Sequence, residues 1–253
     1  MAHDLFTQRG TVPLYKALSK AGFASRNQAR QWIVAGEVEV DGKTCRNPEQ
    51  PVQMEIARIH CHGILVTIQP TRVLLLYKPR GVITSHSDPQ GRPTIYSLLP
   101  QEFVQFHSVG RLDWATSGVL LITNDTLLSS WLTDPAHQIS RVYVVTVRGC
   151  VTQETVTAMM AGIEDASEVL QAEKVNLRKV SRKESHLLIT LNEGKNREIR
   201  RLFAHFGYEV THLKRIAFGG LASGDLMPGK YREISLGEVK RAFPGVQMRT
   251  SSA

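Results

Sequence analysis

Residues 110–118 read Gly-Arg-Leu-Asp-Trp-Ala-Thr-Ser-Gly and run directly into the apolar segment Val-Leu-Leu-Ile. A short apolar run that follows turn residues is typical of a buried strand. The string therefore places the carboxylate of Asp113 at the mouth of a strand, two residues from the cation of Arg111. A lone Arg-Leu-Asp tripeptide would favour a surface ion pair, whereas the longer string favours a catalytic carboxylate. Thr116 and Ser117 are expected to hydrogen-bond the turn that presents Asp113.

A second charged cluster, at 193–201, reads Glu-Gly-Lys-Asn-Arg-Glu-Ile-Arg-Arg. Asn196 is a residue type that caps helices, so we expect a helix to begin there. The apolar face of this helix would comprise Ile199, Leu202, Phe203 and Phe206.

Three arginines, Arg197, Arg200 and Arg201, fall in the first turns of this predicted helix, where cations oppose the helix macrodipole. A bound anion would remove the conflict, because backbone N–H groups and guanidinium groups would then converge on one negative charge. The candidate anions are an RNA phosphate and the carboxylate of Asp113. Neutralisation by the two glutamates of the cluster, on a solvated helix, is the alternative.

Composition bounds the class of protein. The 253 residues include 31 Lys+Arg and 23 Asp+Glu, a formal net charge of +8, which favours a polyanionic partner. A charge kept for solubility is the alternative. The three cysteines are widely spaced and odd in number, which argues against a disulfide framework and favours a reducing cytoplasm. Apolar runs are too short to span a membrane, and the N terminus lacks a signal-peptide pattern, so we expect a cytoplasmic protein.

Several kinds of site are disfavoured by the motifs. The tripeptide His60-Cys61-His62 has metal-ligand residue types, but neighbours on a strand point to opposite faces and no second pair has zinc spacing. We therefore expect no metal. The sequence shows no Walker phosphate loop and no Gly-x-Ser-x-Gly elbow, and Asp113 has no obvious partner carboxylate for a two-acid glycosidase.

The chain is expected to divide near residue 70. In the segment 12–70, apolar residues at helical spacing predict one helix, and Ser25 predicts the cap of a second helix that ends at Gly36. The Asp41-Gly42 pair predicts a hairpin between short strands. Four cations of the two helices lie four positions apart in pairs, so that each pair shares a helix face: Lys16 with Lys20, and Arg26 with Arg30. Phosphate would relieve their repulsion, and a solvated helix face is the alternative.

The segment 71–245 is expected to form an α+β domain with a central mixed, mainly antiparallel sheet flanked by helices. Predicted strands are 73–77, 119–123, 141–147, 169–180 and 186–191. Predicted helices are 94–99, with Thr94 as cap, a helix capped by Asp125, and 152–163. Residues 1–11 and 246–253 show no clear pattern and are predicted to be tails.

Four stretches together resemble the pseudouridine synthases. They are residues 110–118, the strand motif Tyr143-Val144-Val145, residues 194–201 and the tetrapeptide Lys78-Pro79-Arg80-Gly81. The segment 12–70 resembles the S4 RNA-binding domain, which points to the branch of the family that modifies ribosomal small- and large-subunit RNA. Two positions depart from the family pattern: Asn27 stands where a second arginine is frequent, and Arg141 stands where lysine is usual.

The resemblance implies isomerisation of a uridine in RNA without a cofactor or a metal. It implies that Asp113 is the catalytic aspartate, that Tyr143 stacks on the uracil, that Arg200 pairs with Asp113, that Ile199 packs near the base and that Arg111 holds the flipped nucleotide. The residues expected to bind RNA are Lys16, Lys20, Arg26, Arg30, Lys78, Arg80, Lys195, Arg197 and Arg201.

The expected substrate is ribosomal RNA, with a lean to the large subunit, free or in a pre-ribosomal particle, and the expected protein is a monomer. Small-subunit rRNA and tRNA are alternative substrates. A non-catalytic RNA-binding or ribosome-assembly factor is an alternative function, although such a protein would not need Asp113, Tyr143 and Arg200 together. An RNA base glycosylase is a third, which release of free uracil would distinguish.

Overall fold

A computed structural model describes residues 10–54, 56–67 and 69–249. The chain forms two compact units, one that ends at Pro70 and one that begins at Thr71. Within the described ranges, no helix has the length and apolar character needed to cross a membrane.

The N-terminal unit packs two helices against short strands. Its elements are β1 (Thr11–Pro13), α1 (Leu14–Lys20), α2 (Arg26–Ala35), β2 (Val38–Val40), β3 (Lys43–Cys45), β4 (Pro51–Gln53), β5 (Ile59–Cys61) and β6 (Ile64–Leu65). The side chain of Ser25 accepts a hydrogen bond from the Gln28 N–H, and Gly36 ends α2 with φ 82°, which confirms both predicted ends of this helix. Asp41 and Gly42 have positive φ and form the predicted turn between β2 and β3.

The predicted N-terminal tail, residues 1–11, includes one residue that belongs to a strand. Thr11 belongs to β1 and pairs with Gln53 of β4, so backbone hydrogen bonding fixes a residue whose side chain carries no periodic signal. The predicted tail residues 1–9 lie outside the described residues.

The C-terminal unit is built on one large sheet. The strands of the unit are β7 (Val73–Lys78), β8 (His107–Ser108), β9 (Thr116–Thr123), β10 (Arg141–Arg148), β11 (Ile163–Asp165), β12 (Glu168–Leu170), β13 (Lys174–Val180), β14 (Glu184–Leu191), β15 (Val210–Phe218), β16 (Leu221–Ala222) and β17 (Tyr231–Ile234). Of these, β11 and β12 form a separate two-stranded sheet. The order across the sheet is β13-β14-β10-β15-β9-β7-β17. The β15–β9 pair is parallel and the other pairs are antiparallel, which confirms the predicted mixed, mainly antiparallel sheet of an α+β fold.

Apolar cores cover both faces of the sheet at β7 and β9. Leu74 and Leu76 point into the larger core, whereas Val73 and Leu75 point into the smaller one. A strand buried on both faces reads as a continuous apolar run, which is why its sequence shows no alternation. The α-helices of this unit are α3 (Thr126–Thr133), α4 (Gln153–Ala161), α5 (Glu198–His205) and α6 (Leu236–Ala242). Single 3₁₀ turns lie at Ile95–Leu98, Gln101–Phe103 and Pro135–His137.

Of the local predictions for this unit, the Asp125 cap is confirmed, whereas the Thr94 cap and the continuous strand 169–180 are wrong. Asp125 caps α3 by accepting hydrogen bonds from the N–H groups of Leu127 and Leu128, as predicted. Thr94 precedes only a 3₁₀ turn and its side chain makes no capping bond. The predicted strand 169–180 is interrupted, because β12 turns back to pair with β11 before β13 begins.

The C-terminal segment does not behave as the predicted tail up to residue 249. Val246 and Met248 pack against the smaller core. The Arg249 N–H donates to the Oδ2 atom of Asp125 at 2.7 Å. A buried carboxylate far back in the sequence holds this segment, so no local pattern could reveal it. Residues 250–253 lie outside the described residues.

Candidate active site

Asp113 lies in the loop between β8 and β9, and a buried lysine holds this loop from below. The Nζ atom of Lys78 donates to the carbonyl oxygens of Asp113, Thr116 and Pro79 at 3.0, 2.8 and 3.1 Å. Lys78 is fully buried, and burial lowers its pKa to about 8. The prediction that Lys78 binds RNA is therefore wrong: its ammonium group is a structural clamp on the loop that carries Asp113.

Two further contacts fix the same loop. The Thr84 hydroxyl donates to the carbonyl oxygen of Leu112 at 2.9 Å. The Gly81 N–H donates to the carbonyl oxygen of Trp114 at 2.8 Å. Thr116 acts through its backbone N–H, which donates to the Asp113 carbonyl oxygen, and its buried hydroxyl has no partner among the described residues. The predicted hydroxyl-bonded turn is thus corrected to a turn held by Lys78, Thr84 and backbone groups.

Two arginines face the carboxylate of Asp113. The Oδ2 atom of Asp113 lies 3.5 Å from Nη1 of Arg197 and 3.9 Å from Nε of Arg200. Arg200 is the more buried of the two and also donates to the Val210 carbonyl oxygen at 3.0 Å. Burial and the neighbouring Arg197 lower the pKa of Arg200. The structure thus places Arg200 beside Asp113, as the sequence suggested, but brings Arg197 nearer.

The start of α5 differs from its prediction. The helix begins at Glu198, and Arg197, not Asn196, occupies the cap position in the left-handed region with φ 49°. The Asn196 cap prediction is wrong, because no side chain among the described residues caps the N–H groups of the first turn of α5. Instead, Oε2 of Glu198 accepts from the N–H of Lys195, which precedes the helix, at 3.1 Å.

The cations of this cluster divide into two groups. Arg197 and Arg200 face Asp113, whereas Lys195 and Arg201 are bound to other acids. Arg201 is bound to Asp165 and Glu168, and Lys195 is bound to Glu193 and to the Val169 carbonyl oxygen. These acids hold both side chains, and Lys195 also lines the cleft above Asp113, so the contact of both with RNA stays a prediction. The helix-dipole conflict is therefore solved partly by internal acids and partly by Asp113.

Above Asp113 opens a cleft of about 370 Å³. Asp113, Arg111, Tyr143, Ile199, Lys195 and Arg197 line it. Tyr143 comes from β10 and Ile199 from the first turn of α5, and both are buried. Arg111 and Arg80 are exposed, and Arg80 lies near enough to Arg200 to lower its pKa. The cleft thus brings together the carboxylate of Asp113, the ring of Tyr143, the aliphatic side chain of Ile199 and the exposed cations Arg111 and Arg197.

Four charged residues of the cleft wall were not predicted as site residues from the sequence. They are Arg141, Glu193, Glu198 and Arg215. The Nε atom of Arg215 donates to the Val119 carbonyl oxygen at 2.8 Å, and both arginines lie about 5 Å from the centre of the Phe218 ring. Arg215 shares the inward face of β15 with Leu213, and a cation at such a position is a signal that alternation could have revealed.

Glu198 is the most perturbed acid of the cleft. It is 97% buried, since its exposed fraction is 3%, and its Oε1 atom has no partner among the described residues. Burial, reinforced by the nearby Glu193, raises its pKa to about 7. A carboxyl group that titrates near neutral pH is a frequent feature of functional sites.

In the N-terminal unit, the four predicted RNA-binding cations differ in their availability. Lys20 and Arg26 are exposed. Arg30 stacks over the Tyr15 ring at 3.7 Å and pairs with Glu49 at 2.7 Å, and Lys16 lies 5.9 Å from the centre of the same ring.

The chain thus carries an aspartate that faces two arginines in a cleft beside a buried tyrosine, and its family follows from comparison with known proteins. The model of the RNA pseudouridylate synthase family matches residues 72–205, and that of the S4 domain matches residues 12–55. The chain belongs to the RNA pseudouridylate synthase family, and it is an RNA pseudouridine synthase with an N-terminal S4 domain.

Relatives of similar length support this assignment. An uncharacterized RNA pseudouridine synthase of Aquifex aeolicus is 35% identical over 239 residues, which cover 94% of this chain and 96% of the relative. The ribosomal large subunit pseudouridine synthase B of Bacillus subtilis is 35% identical over 231 residues, covering 90% of this chain and 94% of the relative. A crystal structure of a pseudouridylate synthase superposes with a TM-score of 0.65 at 27% identity, covering 91% of this chain and 99% of the other.

Proposed function

We propose that this enzyme converts a specific uridine of ribosomal RNA to pseudouridine, with Asp113 as its catalytic carboxylate and the large-subunit RNA as the favoured substrate. The observation that carries the proposal is the position of Asp113 at the cleft, 3.5 and 3.9 Å from two arginines. The choice of RNA is supported by the relatives of Bacillus subtilis and Vibrio cholerae, both named ribosomal large subunit pseudouridine synthase B.

The reaction breaks the bond between N1 of uracil and C1′ of the ribose, rotates the base and joins C5 to C1′. N1 gains a proton and C5 loses one, so the overall change is an isomerisation. Asp113 can serve as the nucleophile at C1′ or as the base that takes a ribose proton, and both routes need an ionised carboxylate. Arg197 and Arg200 supply positive charge next to this carboxylate.

The target base has to leave the RNA stack to reach Asp113. Stacking on an aromatic ring and contacts between cations and the backbone are the usual means of holding a flipped base. Tyr143 offers the ring, Ile199 offers an apolar contact, and the exposed cations Arg111 and Arg197 of the cleft are available to the flanking phosphates. Arg80, which is exposed and close enough to Arg200 to lower its pKa, offers a further cation. Lys20 and Arg26 of the S4 domain offer further phosphate contacts.

The Asp113→Asn variant tests the assignment of the catalytic residue. We expect an unchanged melting temperature, unchanged affinity for the substrate RNA and no pseudouridine after prolonged incubation. Asp225→Asn, which changes an exposed carboxylate outside the cleft, is the matched control and should retain full activity. Normal turnover by Asp113→Asn would overturn the assignment.

The choice of substrate is tested by mapping pseudouridine in rRNA and tRNA from cells with and without the gene. We expect one position of large-subunit rRNA to lose the modification, and purified enzyme should restore it in vitro. Loss at a small-subunit or tRNA position would overturn the proposed choice of RNA without touching the reaction.

A further inference from the structure

We propose that strand β13 and the turn after it form a second RNA-binding surface, which contacts backbone phosphates that flank the target uridine. We call this surface the basic strip. It comprises Lys174, Arg178, Lys179, Arg182 and Lys183, and all five side chains are exposed. The proposal rests on the proposed function, because it takes RNA as the substrate.

The cations of the basic strip have no partners among the residues that the structure describes. None of the five side chains makes a hydrogen bond or an ion pair with another described residue. Other exposed arginines do: Arg92 pairs with Asp88 at 2.7 Å, and Arg232 pairs with Glu238 at 2.6 Å. The positive charge of the strip is therefore available to an external anion.

The acids at the two ends of the strip are already engaged. Glu173 accepts a hydrogen bond from Asn192 at 3.0 Å, and Glu184 contacts His186 at 3.0 Å. Five cations in ten positions, with no acid among them, produce a local positive potential that attracts a polyanion. Phosphate contacts that release counterions supply most of the sequence-independent affinity for nucleic acid.

The strip lies within reach of RNA that occupies the cleft. β13 is an edge strand, two strands from β10, which carries Tyr143. In the register, Val175 pairs with Ile189, which pairs with Tyr143. The strip therefore begins about 10 Å from the strand of Tyr143 and extends about 20 Å along β13. Lys174 lies on the sheet face opposite Tyr143, since it is one residue away, so the flanking RNA would pass around the sheet edge.

A bulge in β13 increases the exposure of the strip. The pairing with β14 shifts between Leu177 and Lys179, which leaves Arg178 without a residue opposite. Such a bulge raises the local twist and re-aims side chains at a sheet edge. The consecutive residues Arg178 and Lys179 are both exposed as a result.

Protection of the sheet edge is the competing explanation, because lysines and bulges keep edge strands from pairing with other chains. It does not explain Arg182 and Lys183, which lie in the turn beyond the paired residues. The two explanations also differ in the sign of charge they require. Glutamate protects an edge but repels phosphate, so charge reversal separates them.

The test uses two full-length double variants, Arg178→Glu/Lys179→Glu and Arg182→Glu/Lys183→Glu. The control, Lys230→Glu/Lys240→Glu, makes the same change of net charge at exposed positions outside the strip. The RNA probes are an rRNA fragment with long flanks around the target uridine and a minimal hairpin that only fills the cleft. Affinity is measured over a salt titration, and product formation is measured at saturating RNA.

For each strip variant we expect about 10-fold weaker binding of the long RNA and a log–log salt slope smaller by about 2. Binding of the hairpin and product formation at saturation should be unchanged, and the control should bind like the wild type. Unchanged affinity, an equal loss in the control, or self-association with full RNA affinity would each overturn the proposal. Failure of the wild type to form pseudouridine in either RNA would overturn the proposed function instead. The comparison of RNA affinities would still test whether the basic strip binds RNA.

Discussion

The buried ammonium group of Lys78 donates a hydrogen bond to the backbone carbonyl oxygen of Asp113 across 3.0 Å. The same group also binds the carbonyl oxygens of Thr116 and Pro79. It thereby joins the end of β7 to both ends of the turn that presents the proposed catalytic carboxylate. The geometry of Asp113 consequently depends on a residue that cannot touch the substrate.

Replacement of Lys78 by methionine should lower both stability and activity without weakening the binding of RNA. The variant leaves three carbonyl oxygens without their shared donor, and the contact with Thr116 among them is buried, which costs on the order of 1–3 kcal/mol of unfolding free energy. A displacement of Asp113 by 1 Å can reduce the rate about 100-fold. Urea unfolding, RNA affinity and single-turnover conversion would measure the three quantities.

Arg80→Met is the matched control, because Arg80 is an exposed cation two residues away. It should weaken RNA binding and leave the free energy of unfolding within about 0.5 kcal/mol of the wild type. A Lys78→Met variant that binds RNA weakly but turns over normally at saturation would contradict the role of Lys78 as a clamp.

Gly118→Ala should be among the most destabilising single-methyl changes in the C-terminal unit. A Cβ atom at this position would lie 2.0 Å from the Arg215 carbonyl oxygen, across the parallel β9–β15 pair, and φ is 115°. We expect a loss of about 3 kcal/mol or more, because backbone must move at the strand that follows Asp113. Thermal unfolding would show it.

The control is Gly224→Ala, where φ is 53° and no atom lies within 4 Å of the added methyl group. It should cost about 1–2 kcal/mol, from the backbone conformation alone. Equal losses in the two variants would mean that close approach of β9 and β15 is not what requires glycine at position 118.

Sequence patterns predicted the strands β7 and β9 and the position of Asp113 just before β9, because these are local signals. The apolar runs at β7 and β9 and the Asp125 cap depend on residues close together in the chain. Lys78 was misassigned for the opposite reason. Its tetrapeptide resembles an exposed basic turn, and only the pairing of β7 with β9 brings the carbonyl oxygens of Asp113 and Thr116 to its ammonium group.

The residues of the cleft wall are a second case that local sequence patterns do not reveal. Arg215 and Glu198 reach the cleft because β15 lies beside β9 and α5 packs on the sheet, and neither fact is written in a short segment. The basic strip at β13 could not be singled out from the sequence either. Its cations differ from other exposed arginines in lacking partners among the described residues, and a partner such as Glu238 for Arg232 is seen only in the structure.

Arg197→Gly should raise stability while it lowers activity. Arg197 has φ 49°, a left-handed conformation that costs a residue with a side chain roughly 1 kcal/mol and costs glycine little. The ion pair with Asp113 that would be lost is half exposed and adds little stability. Relief of this strain should outweigh the greater freedom of glycine in the unfolded chain, and product formation should fall because positive charge leaves the carboxylate.

Arg197→Lys separates the two effects, since it keeps the charge and the strain. It should retain more activity than Arg197→Gly and gain no stability. If Arg197→Gly turned over like the wild type, Arg200 alone would supply the charge that the carboxylate needs.

The buried Glu198 carboxyl should make the stability of the enzyme fall as the pH rises toward neutrality. Its pKa is raised from an ordinary 4.5 to about 7 by burial and by Glu193. Between these two values the folded state holds a proton that the unfolded state has lost, so the unfolding free energy decreases with pH in this window and levels off above it.

In Glu198→Gln this contribution is absent, while an amide oxygen can still accept from the Lys195 N–H. The difference in unfolding free energy between variant and wild type should therefore shift in favour of the variant by on the order of 1–3 kcal/mol from pH 4.5 to pH 7. Urea unfolding at half-unit steps measures it, with Glu164→Gln as the exposed control. Parallel pH profiles of Glu198→Gln and the wild type would show that Glu198 ionises in the folded enzyme as it does in the unfolded chain, and its burial would then impose no proton uptake on folding.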